Sequence, residues 1–230
     1  GPVTFILDIK PNSKISKIAT AGKKTVAVRF PKHKVAINLL KILNVPLAAP
    51  SANISSKLSP TSANDVVDEF GGKLKFILNG GSSKIGLEST ILDLTDKVRI
   101  LRQGAITAEK IHKILKKKVL VNKKIKTIKA PGQLKLHYSP GIPVLMNKKY
   151  PKNNEAFITF GKKFKDSKNY FNLSKNGSLK EAANNLYRTM RKIKKKNFKS
   201  ISVTRIPNIG IGILNKYNLE EKQYCWIDQA

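Results

Sequence analysis

Gly86-Leu87-Glu88-Ser89-Thr90-Ile91-Leu92-Asp93-Leu94, followed by Val98-Arg99-Ile100-Leu101-Arg102-Gln103-Gly104 and Thr107-Ala108, decides the fold class. Thr90–Leu94 and Val98–Leu101 are short apolar runs that suit buried strands. Thr107 stands where it can cap a helix over Ala108–Lys117. The same alternation continues outward. Val3–Leu7 reads as a strand, and Thr25–Phe30 as a β-branched strand that Pro31 ends. Val35–Leu43 is apolar at helical spacing. Val45–Ala49 reads as a strand running into the loop Pro50–Thr61. Ser62 can cap a helix over Ala63–Phe70, with Asp65 at the third helical position as a capping-box partner and Gly71-Gly72 as its stop. Phe76–Leu78 reads as a strand and Asn79–Ser83 as a turn. Strands alternating with helices imply a layered α/β domain.

From Val119 to Pro143 the pattern dissolves into a Lys-rich stretch marked by Pro and Gly, which reads as a linker. A second α/β unit follows: a strand at Phe157–Phe160, a helix at Ser178–Lys192, a strand at Ile201–Thr204 and a last helix at Ile209–Lys216. The expected organisation is a domain over residues 1–118, a linker over 119–143 and a second domain over 144–230.

Composition narrows the function classes. The chain has 230 residues, 40% hydrophobic and 26% charged, which excludes wholesale disorder. Lys and Arg number 45 against 14 Asp and Glu, a formal net charge of +31. Only 6 of those cations are Arg, and residues 111–230 carry net +22 against +9 for residues 1–110. Two readings stay open: a solvated Lys surface, or a polyanion partner such as RNA. Along the sequence, aromatic residues do not interleave with runs such as Lys116-Lys117-Lys118 or Lys192–Lys196, as a base-stacking platform would require. One cysteine, Cys225, excludes an internal disulfide framework and a Cys-based zinc cluster. No apolar run spans a bilayer and no signal peptide is visible, so a cytoplasmic protein with no membrane role is expected. His33, His112 and His137 lack metal-ligand spacing, and His33 and His112 read as solvated, so no protein-held metal site is expected.

Four features could carry chemistry. The loop Pro50-Ser51-Ala52-Asn53-Ile54-Ser55-Ser56-Lys57-Leu58-Ser59-Pro60-Thr61 offers hydroxyls, an amide and backbone N–H groups after an apolar run, a composition that can cradle phosphates. It is not a Walker loop. Glu88 and Ser89 place a carboxylate beside a hydroxyl at a strand start. Arg29 and Arg102 lie at strand ends in a chain poor in Arg, where either could clamp a carboxylate or a phosphate. Ala130-Pro131-Gly132-Gln133-Leu134-Lys135-Leu136-His137-Tyr138-Ser139-Pro140 is an unusual composition for a spacer. No catalytic side chain is identified.

Together these segments resemble the YrdC-like threonylcarbamoyl-adenylate synthases, in the long form with an extra C-terminal domain. The resemblance rests on Gly1–Leu7, Thr25–Pro31, Pro46–Asn53, Ser59-Pro60-Thr61, Leu78–Gly81, Gly86–Thr90, Leu101–Gly104 and His137–Pro140, in the family's order. It implies a twisted mixed-sheet domain, a linker lid and a small Rossmann-like α/β domain. It implies that L-threonine, bicarbonate and ATP, with Mg²⁺, give threonylcarbamoyl-AMP and pyrophosphate. A separate transferase complex then modifies adenosine 37 of tRNA. The same resemblance gives Ser51, Asn53, Ser59, Arg102 and Thr25 to the nucleotide, Arg29 and Ser89 to threonine, and Tyr138 to a lid over the nucleotide. The family's N-terminal third, with its Lys-x-Arg phosphate element, is not represented, and Gly1-Pro2 reads as the middle of a domain. This chain alone is therefore expected to be inactive or very weak. Two other readings stand: an RNA- or tRNA-binding module of the same fold, with double-stranded RNA as one possible ligand, and a regulatory or carbamoyl-transfer domain.

Overall fold

The computed structural model describes residues 1–55, 57–121, 140–207 and 209–212. It divides into two compact units, Gly1–Pro50 with Glu88–Leu134, and Ser51–Leu87 with Lys135–Ala230. The α/β class expected from sequence holds.

In the first unit, β1 (Val3–Asp8), β2 (Thr25–Val28), β3 (Thr90–Asp93), β4 (Arg99–Arg102) and β5 (Leu120–Val121) form one sheet in the order β2-β1-β3-β4-β5. β1 runs antiparallel to β2 and parallel to β3, so the sheet is mixed. Alternation sends Val3, Phe5, Leu92 and Ile100 to one face, where Ile111 of the helix Ala108–Leu115 and Val119 complete the core. The other face carries Ile6, Ile91 and Leu101. The helix Lys34–Leu43 (α1) has no buried residue among its own.

In the second unit, β6 (Val144–Leu145), β7 (Glu155–Thr159), β8 (Tyr170–Asn172) and β9 (Ser200–Val203) form an all-parallel sheet in the order β6-β9-β7-β8. Every residue of β7 and β9 is buried, as a parallel sheet requires. The helix Leu179–Lys194, α4 (α2 is Ala63–Phe70 and α3 Ala108–Leu115), buries Ala182, Ala183, Leu186, Tyr187, Met190 and Ile193, a stripe at helical spacing. Leu58 joins this core from the Ser-rich loop. Glu155 is buried at the start of β7, where it accepts from Ser200 Oγ at 2.9 Å, Ser202 Oγ at 2.5 Å and the Lys152 N–H at 2.9 Å. Burial pushes its carboxyl up, but these donors outweigh that and hold it below the ordinary carboxylate value.

Several expectations change. Val45–Ala49 and Phe76–Leu78 are not strands. Pro46 lacks a donor for a ladder, and Phe76 is 88% exposed. A short apolar run gains nothing as a strand without an edge to pair with. β2 stops at Val28, and β8 is a strand that the sequence pattern missed. The stretch read as a linker from Val119 begins inside the first unit: Val119 is buried and Leu120–Val121 pairs with Arg99–Ile100. His112 is not simply solvated, because its Nε2 lies 3.1 Å from the Val119 carbonyl. Residues 122–139 and 213–216, including Tyr138 and most of the expected last helix, lie outside the described residues.

Candidate functional site

One face of the first sheet gathers the polar residues. The pairs Thr4↔Ile91, Ile6↔Ala27 and Asp8↔Thr25 place Thr4, Thr25 and Ser89 on that face, and Arg29 continues the alternation of β2 beyond its end. Arg102 joins them through an irregularity. Ile91 pairs with Arg102 while Leu92 pairs with Ile100, so β4 holds one extra residue, Leu101, at this step. Without the bulge Arg102 would share the face of Ile100 and point into the helix-covered core. The bulge turns it to the polar face.

The result is a compact cluster. Thr4 Oγ1 and Ser89 Oγ are 2.8 Å apart. Arg102 donates from Nη2 to Ser89 Oγ at 3.0 Å and from Nε to the Ser89 carbonyl at 3.1 Å. Its guanidinium also lies 3.8 Å from a Glu88 carboxylate oxygen, both side chains being mostly covered. Ser89 is 5% exposed. The strand start that carries it is fixed on both sides. Thr90 N donates to the Pro2 carbonyl at 3.0 Å, and Ala105 N donates to the Glu88 carbonyl at 3.0 Å. Thr90 Oγ1 donates to the Ile106 carbonyl at 2.6 Å. Gly104 is what permits this, because a Cβ there would lie 2.4 Å from the Glu88 carbonyl oxygen. Arg29 is exposed and donates from Nε to the Gly1 carbonyl at 3.1 Å.

Ser51, Asn53 and Ser59 belong to the second unit. Ser51 is exposed and Ser59 is buried. Asn53 donates its amide to the Ile54 carbonyl at 2.8 Å and the Lys57 carbonyl at 3.2 Å, folding the loop on itself. Its Oδ1 is buried and accepts no hydrogen bond among the described residues. The loop then enters α2 through the capping box foreseen from sequence. Ser62 Oγ accepts from Asp65 N at 3.3 Å, and Asp65 Oδ2 accepts from Ser62 N at 3.1 Å, Thr61 N at 2.7 Å and Thr61 Oγ1 at 2.9 Å.

Arg191 of α4 reaches the same loop. It donates from Nε to the Ser59 carbonyl at 3.3 Å and from Nη2 to the Leu58 carbonyl. It also lies 3.9 Å from Asp65 and 3.6 Å from Glu69, with its side chain only 13% exposed. Arg191 and Thr4 were not foreseen. The rarity of Arg, which singled out Arg29 and Arg102, applies equally to Arg191. Thr4 is the hydroxyl within the run Val3–Leu7, whose other residues are apolar.

Burial pushes the Asp65 carboxyl up, but the Thr61 backbone and hydroxyl, the Arg191 guanidinium and Ser62 outweigh it and hold it below the ordinary 3.8. A carboxyl depressed in the folded state stabilises at pH above its unfolded value. That contribution disappears as pH falls through the folded value. Urea midpoints at pH 5 and pH 3 should therefore drop more for the wild type than for Asp65→Asn. Equal drops would mean that Asp65 does not hold this loop.

Among the described residues, no group of three His, Cys, Asp or Glu could hold a metal ion. Nor is any described helix long and apolar enough to cross a membrane.

Residues 1–104 match the family model for Sua5, YciO and YrdC, described as telomere recombination. Residues 106–216 match the C-terminal domain of threonylcarbamoyl-AMP synthase. The threonylcarbamoyl-AMP synthase of Pyrococcus abyssi is 34% identical over 235 residues, covering 93% of this chain and 67% of that protein. The one from Schizosaccharomyces pombe is 41% identical, covering 70% of this chain and 42% of its own length. A crystal structure of P. abyssi Sua5 complexed with L-threonine superposes with a TM-score of 0.83 at 31% identity, covering 97% of this chain and 70% of that one. The chain thus spans between under half and about two thirds of these relatives.

Proposed function

The chain belongs to the YrdC-like threonylcarbamoyl-AMP synthases, a family of enzymes, and on that premise we propose that its first unit seats L-threonine for conversion, with bicarbonate and ATP, to threonylcarbamoyl-AMP and pyrophosphate. The observation that carries this is the Thr4–Ser89–Arg102 cluster, locked at the Glu88–Thr90 strand start by Gly104. The Pyrococcus relative's structure with L-threonine supports the substrate.

The chemistry needs an amine held still and negative charges brought together. The threonine amine takes up carbon dioxide from bicarbonate to give a carbamate, with loss of water. A carbamate oxygen then attacks the α-phosphorus of ATP, and pyrophosphate leaves with the electrons of the broken P–O bond. Arg29 offers a fork for the threonine carboxylate, and Ser89 seats the amino acid. Thr25 lines the same face. Arg102 fixes Ser89 and presents a cation toward the nucleotide. In the second unit Ser51, Asn53 and Ser59 take phosphate oxygens, while Tyr138, the residue expected over the nucleotide, lies outside the described residues. Mg²⁺ would arrive on the nucleotide phosphates, where it would neutralise their charge. The activated product is a donor for a separate transferase acting on adenosine 37 of tRNA.

The test is binding rather than turnover. Isothermal titration of the purified chain with L-threonine in the presence of MgATP should give saturable heat. Arg29→Ala should weaken it about tenfold, the scale of a lost charge-assisted hydrogen bond. Because Arg29 is exposed, the unfolding midpoint should not move. A folded wild-type chain that binds no threonine, or an Arg29→Ala variant that binds it normally, overturns the assignment.

A further inference from the structure

The second unit holds a cleft of about 960 Å³ that the synthase reading does not use. Most of its lining lies beyond the C-terminal ends of β6, β7 and β9, and Tyr170, which opens β8, completes it. Asn147 to Tyr150 follow β6, Lys163 to Lys165 follow β7, and Thr204 and Arg205 follow β9. In open α/β sheets this edge is where ligands bind, because the loops that leave the strands there diverge and leave a crevice.

The lining is chemically one-sided. Among the described residues, Lys148, Lys149, Lys163, Lys165 and Arg205 contribute five cations to a lining of ten, with no Asp or Glu. Lys and Arg make up 45 of 230 residues in the chain, so global composition alone predicts about two in such a set. Aromatic groups accompany them: Tyr150, 77% exposed, with Phe164 and Tyr170. The last two are held rigidly. Both pack edge-on against the fully buried Phe157, with centroids at 5.6 and 5.1 Å. Lys163 Nζ sits 5.1 Å over the Phe164 ring. The loops are tied to the sheet, since Lys148 N donates to the Val203 carbonyl at 2.8 Å and Thr204 N to the Ile158 carbonyl at 2.9 Å.

We propose that this cleft binds a single-stranded RNA segment, with the five cations on successive phosphates and the aromatic rings against bases. Cations that track a backbone beside π-faces are the chemistry of sequence-tolerant single-strand binding. A mononucleotide fits less well: the cations come from three separate loops, and among the described residues no glycine-rich phosphate loop lines the cleft. The proposal does not rest on the threonine site.

The test is a fluorescence anisotropy titration of the full chain with a labelled 12-nucleotide oligouridine at several salt concentrations. Lys163→Glu/Lys165→Glu should weaken binding at least tenfold and flatten the salt dependence by about two released counterions. The control is Lys192→Glu/Lys194→Glu, an equal charge change on exposed residues of α4 near its C-terminus, at the opposite edge of the sheet. It should lose much less. Tyr150→Ala should weaken binding about tenfold with the salt slope unchanged, the mark of a lost stacking contact. Equal losses in the cleft and control variants would reduce the effect to net charge and overturn the proposal. So would ATP binding at the cleft without oligonucleotide binding. Threonine titration of the cleft variant should match the wild type, which separates failure here from failure of the synthase reading.

Discussion

Gly104→Ala will abolish threonine binding and destabilise the chain by about 3 kcal/mol, the upper end of the usual range for overpacking. The reason is the identity of the atoms in the way. A Cβ at Gly104 would lie 2.4 Å from the Glu88 carbonyl oxygen and 2.5 Å from both the Ser89 carbonyl carbon and the Thr90 nitrogen. All are backbone atoms, so no rotamer change relieves the contact. The strand start must move away, and with it go the Ala105–Glu88 hydrogen bond and the Ser89 geometry toward Thr4 and Arg102. For a chain of this size, such a loss lowers the unfolding midpoint by about 9 °C. Thermal unfolding followed by threonine titration reads both effects. An alanine variant with wild-type midpoint and wild-type threonine affinity would refute the placement of Ser89 in this site.

Arg191→Met will destabilise the second unit by about 3 kcal/mol, because it removes the guanidinium from two carboxylates that are mostly out of water and leaves Glu69 only Lys57 Nζ at 3.8 Å as a cation. Glu69 is 7% exposed and Asp65 16% exposed at the side chain, and both face the guanidinium. The carbonyls of Leu58 and Ser59 lose their donor as well. Met keeps much of the volume, so the loss reports the charge and hydrogen bonds rather than a cavity. Adding Asp65→Asn and Glu69→Gln should recover part of it, since neutral amides tolerate the missing cation. Urea unfolding of the three proteins decides the point, and a single variant as stable as wild type would remove Arg191 from this role. The Ser-rich loop depends on the same contacts, so Ser51, Asn53 and Ser59 should lose order in step with stability.

Much of this molecule is legible from short stretches of sequence. Ser62, with Asp65, and Thr107 each cap the helix that follows. The apolar runs of β1, β3, β4, β7 and β9 are strands where their patterns place them. These features are local: a cap joins residues three apart, and alternation repeats every two. Motif residues are legible for the same reason, because Ser89 and Arg102 are thirteen residues apart, just before β3 and at the end of β4.

What the sequence left open depends on partners far along the chain. Val45–Ala49 and Phe76–Leu78 carry apolar runs like those of the true strands, but strand formation needs an edge to pair with, and pairing is decided elsewhere. The direction of Arg102 depends on one extra residue in β4, which shows only when β3 supplies the register. Arg191 meets Ser59 across 132 residues of chain, a contact no periodicity announces. The aromatic rings and cations of the second unit lie apart along the sequence, in segments near residues 148, 164, 170 and 205. The loops that leave β6, β7 and β9 meet there beside Tyr170 at the start of β8, because strand pairing sets those segments side by side. Local hydrogen bonding and patterning set the elements; burial of distant charges and the register of strand pairing set which side chains meet.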